Sequence, residues 1–574
     1  MSSDPIEPTP LWHWSLLTFI GVLRFVNLGF LDLQAWDEAL YIVRAQGILR
    51  FGGWLDQSGF AIDGLYSALH PPLQVWLTAA VFALLDTNEF TARIVPALAG
   101  AATLPVIALI GKRLANPSVG LIAALLFGLN PFVTMFARQG QFDTLLVLLI
   151  SLSLLFYIRM TDTRSVQPAF WAGICLGAAL MTKLFVAMGI PVAILSFLLL
   201  RRRPLDPILS KRLLLSVGVA ALVSLPWHMF MAAEHAGGNL FFFLTESALV
   251  ERALFGIEGN VKPLETLYYM NQLIVLFPFG IFWFFAGFRS FWASDEPANG
   301  LLLHWFLVFF VVFSLMRTKL AVYMLPMFVP ASLVAGKTLW EFAQSEVNRK
   351  QWFFLLSGTS LAFLWSASQH WRTAVKDLAG SLLSLSLPAE SVLSLAGSFA
   401  LASVTLIGFT YMLTRVQPFP RIRVHIISVM LLILAGQMLA DVIIADQRRF
   451  KDGGTELGAF VHDNKIIRII VAGYERNPQL TYYLGGADIG WNDGLSVRRI
   501  IPPKDSLSYS PWLAKELGGE PESVFLVIEK DKFVRYRIID PSLFVPEDWR
   551  AVFESRRYSG YTRSPSAYLA GGTE

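Results

Sequence analysis

The chain has 574 residues, of which 55% are apolar and 15% are charged, and its mean hydropathy is +0.54. An ordinary soluble domain carries roughly 25% charged residues, so this composition excludes most soluble folds, disordered chains and collagen-like repeats. The formal net charge of +4 is too small and too dispersed to indicate a nucleic-acid partner. Because Cys175 is the only cysteine, a disulfide framework is excluded as well.

Apolar stretches of membrane-spanning length recur through the first 445 residues. A helix needs about 20 apolar residues to cross a bilayer, and about thirteen stretches fit this requirement. The N-terminus, with Asp4 and Glu7 but no basic segment, lacks the pattern of a signal peptide, so the first stretch is predicted to be a retained span. The predicted spans are 11–30, 94–111, 118–136, 143–158, 168–182, 184–200, 213–232, 264–288, 301–316, 320–338, 352–370, 392–413 and 424–445.

One further apolar stretch, 71–85, is only about 15 residues long and fits either a short span or a helix at the membrane interface. Lys and Arg in short loops mark the cytoplasmic side of a membrane protein. If the stretch 71–85 lies at the interface and does not cross, all six clusters of basic residues fall on that side. These clusters are Lys112/Arg113, Arg159/Arg164, Arg201 to Arg203 with Lys211/Arg212, Arg289, Lys337/Arg349/Lys350 and Arg415/Arg421/Arg423. The sequence therefore predicts thirteen spans with the N-terminus inside and the C-terminal tail outside.

Residues 446–574 change to short apolar runs, such as 466–472 and 524–528, that alternate with Gly, Pro and charged residues. Helix-like intervals occur at 455–462 and 511–517. We therefore predict two units, a transmembrane domain at 1–445 and a small extracytoplasmic α/β domain at 446–574.

Ionisable side chains at the ends of the predicted spans gather on the outer side. Such a group costs roughly 2.5 to 3.5 kcal/mol at a helix centre on insertion scales, so these residues are functional candidates. Carboxylates can accept a proton from a hydroxyl or hold a divalent cation, while Lys and Arg can neutralise phosphate. The combination suggests glycosyl transfer from a phospho-sugar whose lipid lies in the membrane. The outer junctions contain Asp37, Glu38, Arg138, Asp143, Lys183, Arg317, Lys319 and Tyr323.

Each of these residues also has a structural interpretation. The acids are typical of solvated loop charges, and Arg138 could pair with Asp143 across a turn. Lysines and arginines at span ends are commonly anchors that reach the interface. Tyr323 fits an interfacial aromatic belt, and His70, before two prolines, fits a turn. Only their shared face favours the functional interpretation.

Six short motifs follow one another along the chain. They are Trp36 to Tyr41, His70 to Leu73 with Trp76, Arg138 to Asp143, Met181 to Lys183, Leu225 to Trp227 and Arg317 to Pro326. In this order and with this spacing they resemble the GT-C membrane glycosyltransferases. The similarity is greatest to the bacterial branch that contains the lipid A aminoarabinose transferase and to the related dolichyl-phosphate-mannose protein mannosyltransferases. It covers residues 11 to about 340, and beyond them only the architecture is similar.

The resemblance implies a polytopic α-helical membrane protein with the GT-C fold, in which 71–85 belongs to interfacial helices of the first outer loop. It also implies an inverting glycosyltransferase that moves a sugar from a polyprenyl phosphate to an acceptor outside the bacterial inner membrane. Asp37 matches the acid that orients or deprotonates the acceptor, Glu38 accompanies it, and Asp143 matches a second acid. The positions implied near the donor phosphate and sugar are His70, Arg138, Lys183, Arg252, Arg317, Lys319 and Tyr323.

Two positions depart from the family pattern. Where the aminoarabinose branch usually has Glu-Lys-Pro-Pro-Leu, this chain has Leu69-His70-Pro71-Pro72-Leu73, which is closer to the mannosyltransferases. The missing Glu removes one possible metal ligand. The sequence requires no cofactor, and a divalent metal is possible. In the loop 233–263 the family commonly has a His before an Arg, and only Arg252 matches.

Other functions also fit the sequence. A transporter or flippase of lipid-linked sugars needs basic groups near phosphate too, but it requires polar groups at the bilayer midplane. A noncatalytic scaffold would leave the mixed charged motifs unexplained. The sugar and the acceptor stay open, the latter among lipid A, another envelope glycan or lipid, and protein. Glycines 52, 53, 59 and 64 predict a mobile flap in the first outer loop.

Overall fold

A computed structural model describes residues 8–34, 37–62, 64–162, 165–201, 207–240, 268–294, 296–345, 453–473, 477–486, 495–501, 509–521, 523–530, 545–555 and 557–563. Three of the predicted spans, 352–370, 392–413 and 424–445, lie outside the described residues. So do Arg252 and the predicted domain boundary at 445/446.

The first part of the chain, up to residue 345, is helical. Its helices are α1 (Leu11–Leu23), α2 (Asp37–Phe51), α3 (Leu65–Ala68), α4 (Leu73–Leu85), α5 (Glu89–Leu114), α6 (Pro117–Gly128), α7 (Pro131–Ala137), α8 (Asp143–Asp162), α9 (Gln167–Leu180), α10 (Leu184–Ala187), α11 (Gly189–Leu200), α12 (Pro207–His235), α13 (Tyr268–Leu276), α14 (Pro278–Ala293), α15 (Pro297–Leu315) and α16 (Leu325–Gln344). A 3-10 turn, Ala321–Met324, precedes α16.

Five of these helical segments are long and apolar enough to cross a membrane, and two bent pairs raise the number to seven if each pair is one span. Four shorter apolar helices accompany them, among them Leu11–Leu23 and Leu73–Leu85. The ten predicted spans up to residue 338 all overlap such helices, whereas the total of thirteen stays a prediction. At 1.5 Å per residue, α4 is about 20 Å long, too short for a bilayer core of about 30 Å.

One predicted span, 118–136, is two helices with a bend of 70° between them. The break has a local cause, because Pro131 is the first residue of α7 and cannot donate the hydrogen bond that would continue α6. The Asn130 side chain caps the new helix by accepting a bond from Val133 N at 3.2 Å. The bend directs the segment that follows, 138–143, toward the end of α1.

Small residues allow the central helices to approach closely. A Cβ on Gly120 of α6 would lie 2.2 Å from the Ala108 carbonyl oxygen of α5, and one on Gly336 of α16 would lie 2.9 Å from Ala123 N of α6. Close backbone approach at small residues is the usual way in which membrane helices pack. The main apolar core is therefore built around α5, α6 and α16.

The first outer loop contains α2, α3 and α4, in agreement with the prediction of helices there. Its central segment is held at three points rather than left as a flap. Trp76 Nε1 donates to the Trp54 carbonyl oxygen at 2.6 Å, and Trp227 Nε1 donates to that of Leu55 at 2.9 Å. The Asp56 carboxylate lies 3.0 Å from Nε2 of His235. The described part of the loop is therefore fastened to α4 and α12.

The C-terminal part is a five-stranded mixed sheet with helices. Its elements are α17 (Gly454–Asp463), β1 (Arg468–Ala472), α18 (Pro478–Tyr483), β2 (Ser496–Ile500), α19 (Tyr509–Leu517), β3 (Phe525–Glu529), β4 (Arg550–Glu554) and β5 (Tyr558–Thr562). Strands β1, β2 and β3 are parallel, β5 runs antiparallel to β3 and β4, and the order is β2-β1-β3-β5-β4. The two predicted helix-like intervals, 455–462 and 511–517, are confirmed as helices.

Apolar side chains cover both faces of this sheet. Leu513 and Leu517 of α19 pack in the core on one face, and Leu457 of α17 with Leu480 of α18 pack in the core on the other. The fully buried strand β3 lies between these layers. An α/β sandwich of this kind is what the alternating apolar runs predicted.

Candidate active site

The strongest interaction among the predicted site residues is an ion pair between α8 and the end of α9. Asp143 is the first residue of α8, where the helix dipole favours a carboxylate, and Lys183 follows the end of α9. Lys183 Nζ lies 2.8 Å from Asp143 Oδ1, and the side chains are 18% and 9% exposed, respectively. Asp143 therefore pairs with Lys183, not with Arg138 across a turn.

Aromatic rings surround this ion pair. Lys183 Nζ lies 4.5 Å from the ring centroid of Phe142 and 5.3 Å from that of Tyr323, which fits cation–π contacts. The Phe142 ring in turn contacts Tyr41, with centroids 4.7 Å apart, and His70, with centroids 6.2 Å apart. We call this group the Lys183 cluster: Tyr41, His70, Phe142, Asp143, Lys183 and Tyr323.

Asp37 lies beside the Lys183 cluster through helix geometry. It is the first residue of α2 and is exposed, and Tyr41 of the cluster follows one helical turn later. Residues four apart share one face of a helix, so Asp37 is on the face of α2 that Tyr41 presents to Phe142. An exposed carboxylate at this place can accept a proton from an incoming hydroxyl.

Glu38, the next residue, is in a different environment. It is fully buried and forms an ion pair with Arg93 of α5, with Arg93 Nε 2.7 Å from Glu38 Oε1. Gln34 N and Gly140 N also donate to the carboxylate, at 2.6 and 2.7 Å. Because the Glu38 carboxylate is fully buried and each of its oxygens accepts two hydrogen bonds, it is placed to fix the start of α2 rather than to meet a substrate.

Two of the predicted phosphate-binding cations instead bind helix-end carbonyl oxygens. Arg138 Nη1 donates to the carbonyl oxygens of Arg24 at 2.8 Å and Val26 at 2.7 Å, just after α1. Lys319 Nζ donates to the carbonyl oxygens of Phe313 and Ser314, at the end of α15, and burial lowers its pKa. Cations are favourable at helix C-termini because they offset the partial negative charge there.

The other residues predicted near the donor phosphate and sugar also differ in their environments. Tyr323 is buried, with its ring stacked on Phe313 at 4.9 Å, and its contact with Lys183 makes it part of the cluster. Arg317 is exposed, and no hydrogen bond or ion pair holds its side chain within the described ranges. His70 is half-buried, and its Nδ1 lies 3.3 Å from the Ser67 carbonyl oxygen.

Main-chain and indole contacts join the remaining motifs to this region. Leu73 N, at the start of α4, donates to the Met181 carbonyl oxygen at 3.1 Å, which places the His-Pro-Pro segment against the Lys183 motif. Trp227, from the motif in α12, holds the first outer loop through Leu55. The six motifs of the sequence therefore converge on one region of the structure.

Sequence reasoning missed two buried arginines that support the site. Arg93 binds Glu38, and Arg44 of α2 donates to Gln57 Oε1 at 2.7 Å and to the His70 carbonyl oxygen at 3.0 Å. The signal for Arg93 was present, because it lies at the outer end of a predicted span. Arg44 carried a weaker signal, a charge in the middle of α2 that follows the apolar run 39–43.

The described residues contain no group of three His, Cys, Asp or Glu side chains placed to hold a metal ion. Two of the predicted acids already have cationic partners, Glu38 with Arg93 and Asp143 with Lys183. The side chains that the structure describes at the site therefore offer no ligand set for a divalent cation, and we assign no step to one.

Known proteins are similar to this chain in sequence. Residues 69–230 match the family model described as dolichyl-phosphate-mannose-protein mannosyltransferase. The chain is 28% identical over 334 residues to undecaprenyl phosphate-alpha-4-amino-4-deoxy-L-arabinose arabinosyl transferase 1 of Pseudomonas fluorescens. That alignment covers 56% of this chain and 59% of the relative, so the match spans less than two thirds of the relative's length.

The solved structures extend the similarity to the whole chain. ArnT from Cupriavidus metallidurans, bound to undecaprenyl phosphate, aligns with a TM-score of 0.66 and 19% identity over 98% of this chain and 99% of that chain. The chain has the GT-C fold. The archaeal oligosaccharyltransferase AglB from Archaeoglobus fulgidus, in complex with an inhibitory peptide and a dolichol-phosphate, aligns at a TM-score of 0.51 and 12% identity, covering 96% and 74% of the two chains.

The resemblance to the GT-C membrane glycosyltransferases that the six motifs predicted is thereby confirmed, and with it a multi-pass helical membrane protein with a small C-terminal sheet.

Proposed function

We propose that this protein is a glycosyltransferase that moves one sugar from a polyprenyl-phosphate donor to a hydroxyl acceptor. The observation that carries the proposal is an aromatic cluster that holds a partly exposed lysine, Lys183, and contains Tyr41, one helical turn after the exposed acid Asp37. An acid and a cation at one end of a GT-C helix bundle supply a base for the acceptor and a counter-charge for a leaving phosphate.

In the proposed step, the acceptor oxygen attacks the anomeric carbon of the sugar while the bond from that carbon to the phosphate oxygen breaks. Asp37 orients the acceptor and takes its proton, and the polyprenyl phosphate leaves with the electron pair of the broken bond. Attack opposite the leaving group inverts the anomeric centre. Because the donor ester has one negative charge and the leaving phosphate up to two, a cation near the phosphate stabilises the transition state more than the donor complex.

We assign the phosphate contact to Lys183, with Arg317 as a second cation. Lys183 is the cationic side chain of the cluster, next to Asp143, and 18% of it is exposed. Asp143 would orient Lys183. Tyr323, Tyr41 and His70 would line the sugar side of the cluster, where aromatic faces pack on the apolar face of a sugar ring.

We further propose that the protein lies in the bacterial inner membrane with the site and the C-terminal domain on the periplasmic side. The asymmetry of Lys and Arg between loops supports this orientation. The acceptor is lipid A, another envelope glycan or lipid, or a protein. Mass spectrometry of glycans from a strain that lacks the chain would identify both the acceptor and the sugar.

The test is turnover of purified protein with an undecaprenyl-phosphate sugar and envelope lipids or glycans, followed by release of undecaprenyl phosphate. Replacing Asp37 with Asn should lower turnover by at least about 100-fold, because general-base catalysis contributes 10² to 10⁴-fold. Asp86→Asn is the matched control, since Asp86 is also an exposed acid of the first outer loop and Asn tolerates its positive φ of 63°.

Three outcomes contradict the proposal: Asp37→Asn at wild-type turnover, equal losses in both variants, or donor transport across vesicles without release of undecaprenyl phosphate. The last result would support the flippase instead.

A further inference from the structure

The segment that leads into α2 is held by the C-terminal domain. The Asp32 carboxylate accepts hydrogen bonds from Gly454 N at 2.8 Å and from the Thr455 hydroxyl at 2.5 Å. Leu33 N donates to the Tyr483 hydroxyl at 2.9 Å. These partners lie at the N-terminus of α17 and in α18, more than 400 residues away in sequence, and Asp32 is only 5% exposed.

A second acid joins the same contact. Glu89, the first residue of α5, accepts from the Thr455 hydroxyl at 2.9 Å and from the Tyr483 hydroxyl at 3.1 Å. The single Thr455 proton therefore lies between two carboxylates, those of Asp32 and Glu89. We call Asp32, Glu89, Gly454, Thr455 and Tyr483 the interdomain latch.

The C-terminal domain contributes to the charge balance of the latch. Two carboxylates that share one hydroxyl repel each other, and the N-terminus of α17, the Tyr483 hydroxyl and the nearby charge of Arg93 offset this repulsion. Burial, together with the charges of Asp32 and Glu89, raises the pKa of Tyr483, so its hydroxyl stays a donor at neutral pH. Removing the Thr455 and Tyr483 hydroxyls would take hydrogen bonds from both carboxylates and loosen the segment 32–34.

A short path connects the latch to the proposed base. Asp32 lies five residues before Asp37, and the Asp32 carbonyl oxygen accepts from Arg93 Nη2 at 2.9 Å. Arg93 lies one turn after Glu89 on α5 and also binds Glu38, the neighbour of Asp37. Tyr482 of α18 adds an apolar contact, because it is buried in the same core cluster as α2.

We propose that Asp32, Glu89, Thr455 and Tyr483 are positioning residues, through which the C-terminal domain fixes the N-terminus of α2 and the direction of the Asp37 carboxylate. The inference rests on the proposed function for the role of Asp37. The donor side of the site, at Lys183 and Tyr323, makes no contact with the latch among the described residues. The latch should therefore affect how Asp37 takes the acceptor's proton, and it should not affect the affinity of the protein for the donor.

The experiment compares the full-length Thr455→Val/Tyr483→Phe variant with wild type and with Thr455→Ser. Valine and phenylalanine keep the shape but remove both hydroxyls, whereas serine keeps the Thr455 hydroxyl. We expect kcat to fall by about 10- to 100-fold in the double variant, the size of effect that misplacement of a reacting group by about 1 Å produces. The donor KM should stay within about twofold, and Thr455→Ser should stay near wild type.

Hydrogen exchange of peptides that cover 32–45 gives a readout that does not depend on activity. Exchange there should accelerate in the double variant and not in Arg498→Ala, which breaks an exposed ion pair with Glu516 within the C-terminal domain. Unchanged exchange, unchanged kcat, or a donor KM that rises as much as kcat falls would each overturn the latch. A wild-type protein without transferase activity would instead contradict the proposed function, and the exchange result would still show whether the latch holds the segment.

Discussion

Replacing Glu38 with Gln should destabilise the start of α2 strongly, because it leaves a buried cation without its counter-charge. Oε1 of Glu38 accepts from Arg93 Nε and Gly140 N, at 2.7 Å each, and Oε2 accepts from Gln34 N at 2.6 Å and Arg93 Nη2 at 3.0 Å. A Gln amide offers one oxygen, so in either orientation its NH2 group faces two donors. Arg93, only 3% exposed, keeps its charge.

The magnitude follows from this geometry. Removing one member of a buried ion pair costs about 3 to 5 kcal/mol. At 1.4 kcal/mol per factor of ten, local opening of α2 should become roughly 150- to 4,000-fold more frequent. Hydrogen exchange of peptides from 37–51, followed in detergent or nanodiscs, measures this opening directly.

Two variants make the prediction sharp. Glu341→Gln is the matched control, because Glu341 faces Lys337 at 3.8 Å with its side chain 54% exposed, and such pairs contribute about 0.3 to 0.5 kcal/mol. The double variant Glu38→Gln/Arg93→Gln should recover part of the loss, since it removes the uncompensated charge. If Glu38→Gln exchanged like Glu341→Gln, the ion pair would not be what holds α2.

Two further predictions separate a phosphate-binding cation from a helix-capping one. Lys183→Gln should raise the donor KM by at least about tenfold, because a charge-assisted hydrogen bond contributes about 1.5 to 3 kcal/mol, and Lys183→Arg should recover part of it; initial rates against donor concentration test both. Arg138→Gln should leave the donor KM within about twofold but lower the melting temperature, because three hydrogen bonds to carbonyl oxygens after α1 are lost. A tenfold rise in the donor KM would instead show that Arg138 binds the donor phosphate.

The sequence could predict which residues meet, but not what each one binds. Span ends that open on one face must come together in a helix bundle, and for this reason the sequence alone indicates that His70, Asp143, Lys183 and Tyr323 lie in one region. A lysine after a helix can bind a phosphate or the helix's own carbonyl oxygens with equal ease, so the sequence does not distinguish these two roles for Lys319 at the end of α15.

Partners distant in sequence were beyond prediction for a related reason. The hydrogen bond between Asp32 and Gly454 joins residues 422 positions apart, and both look like ordinary loop residues in the sequence. The bend at Pro131 is different, since a proline within an apolar run is a signal for a break that the continuous span 118–136 ignored. Turn chemistry was therefore readable here, whereas long-range pairing was not.

The structure also constrains how charge is balanced during the proposed transfer. Lys183 and Asp143 form a pair with no net charge, so Lys183 alone cannot offset a leaving phosphate that carries up to two negative charges while Asp143 stays bound. Arg138 and Lys319 are engaged by carbonyl oxygens, and these contacts would have to break before either could bind a substrate. Arg317, exposed two residues before Lys319, requires no such exchange of partners. A second cation that is positioned near the site but not committed to a protein group is what the phosphate needs, and among the described residues of the predicted set Arg317 meets that condition.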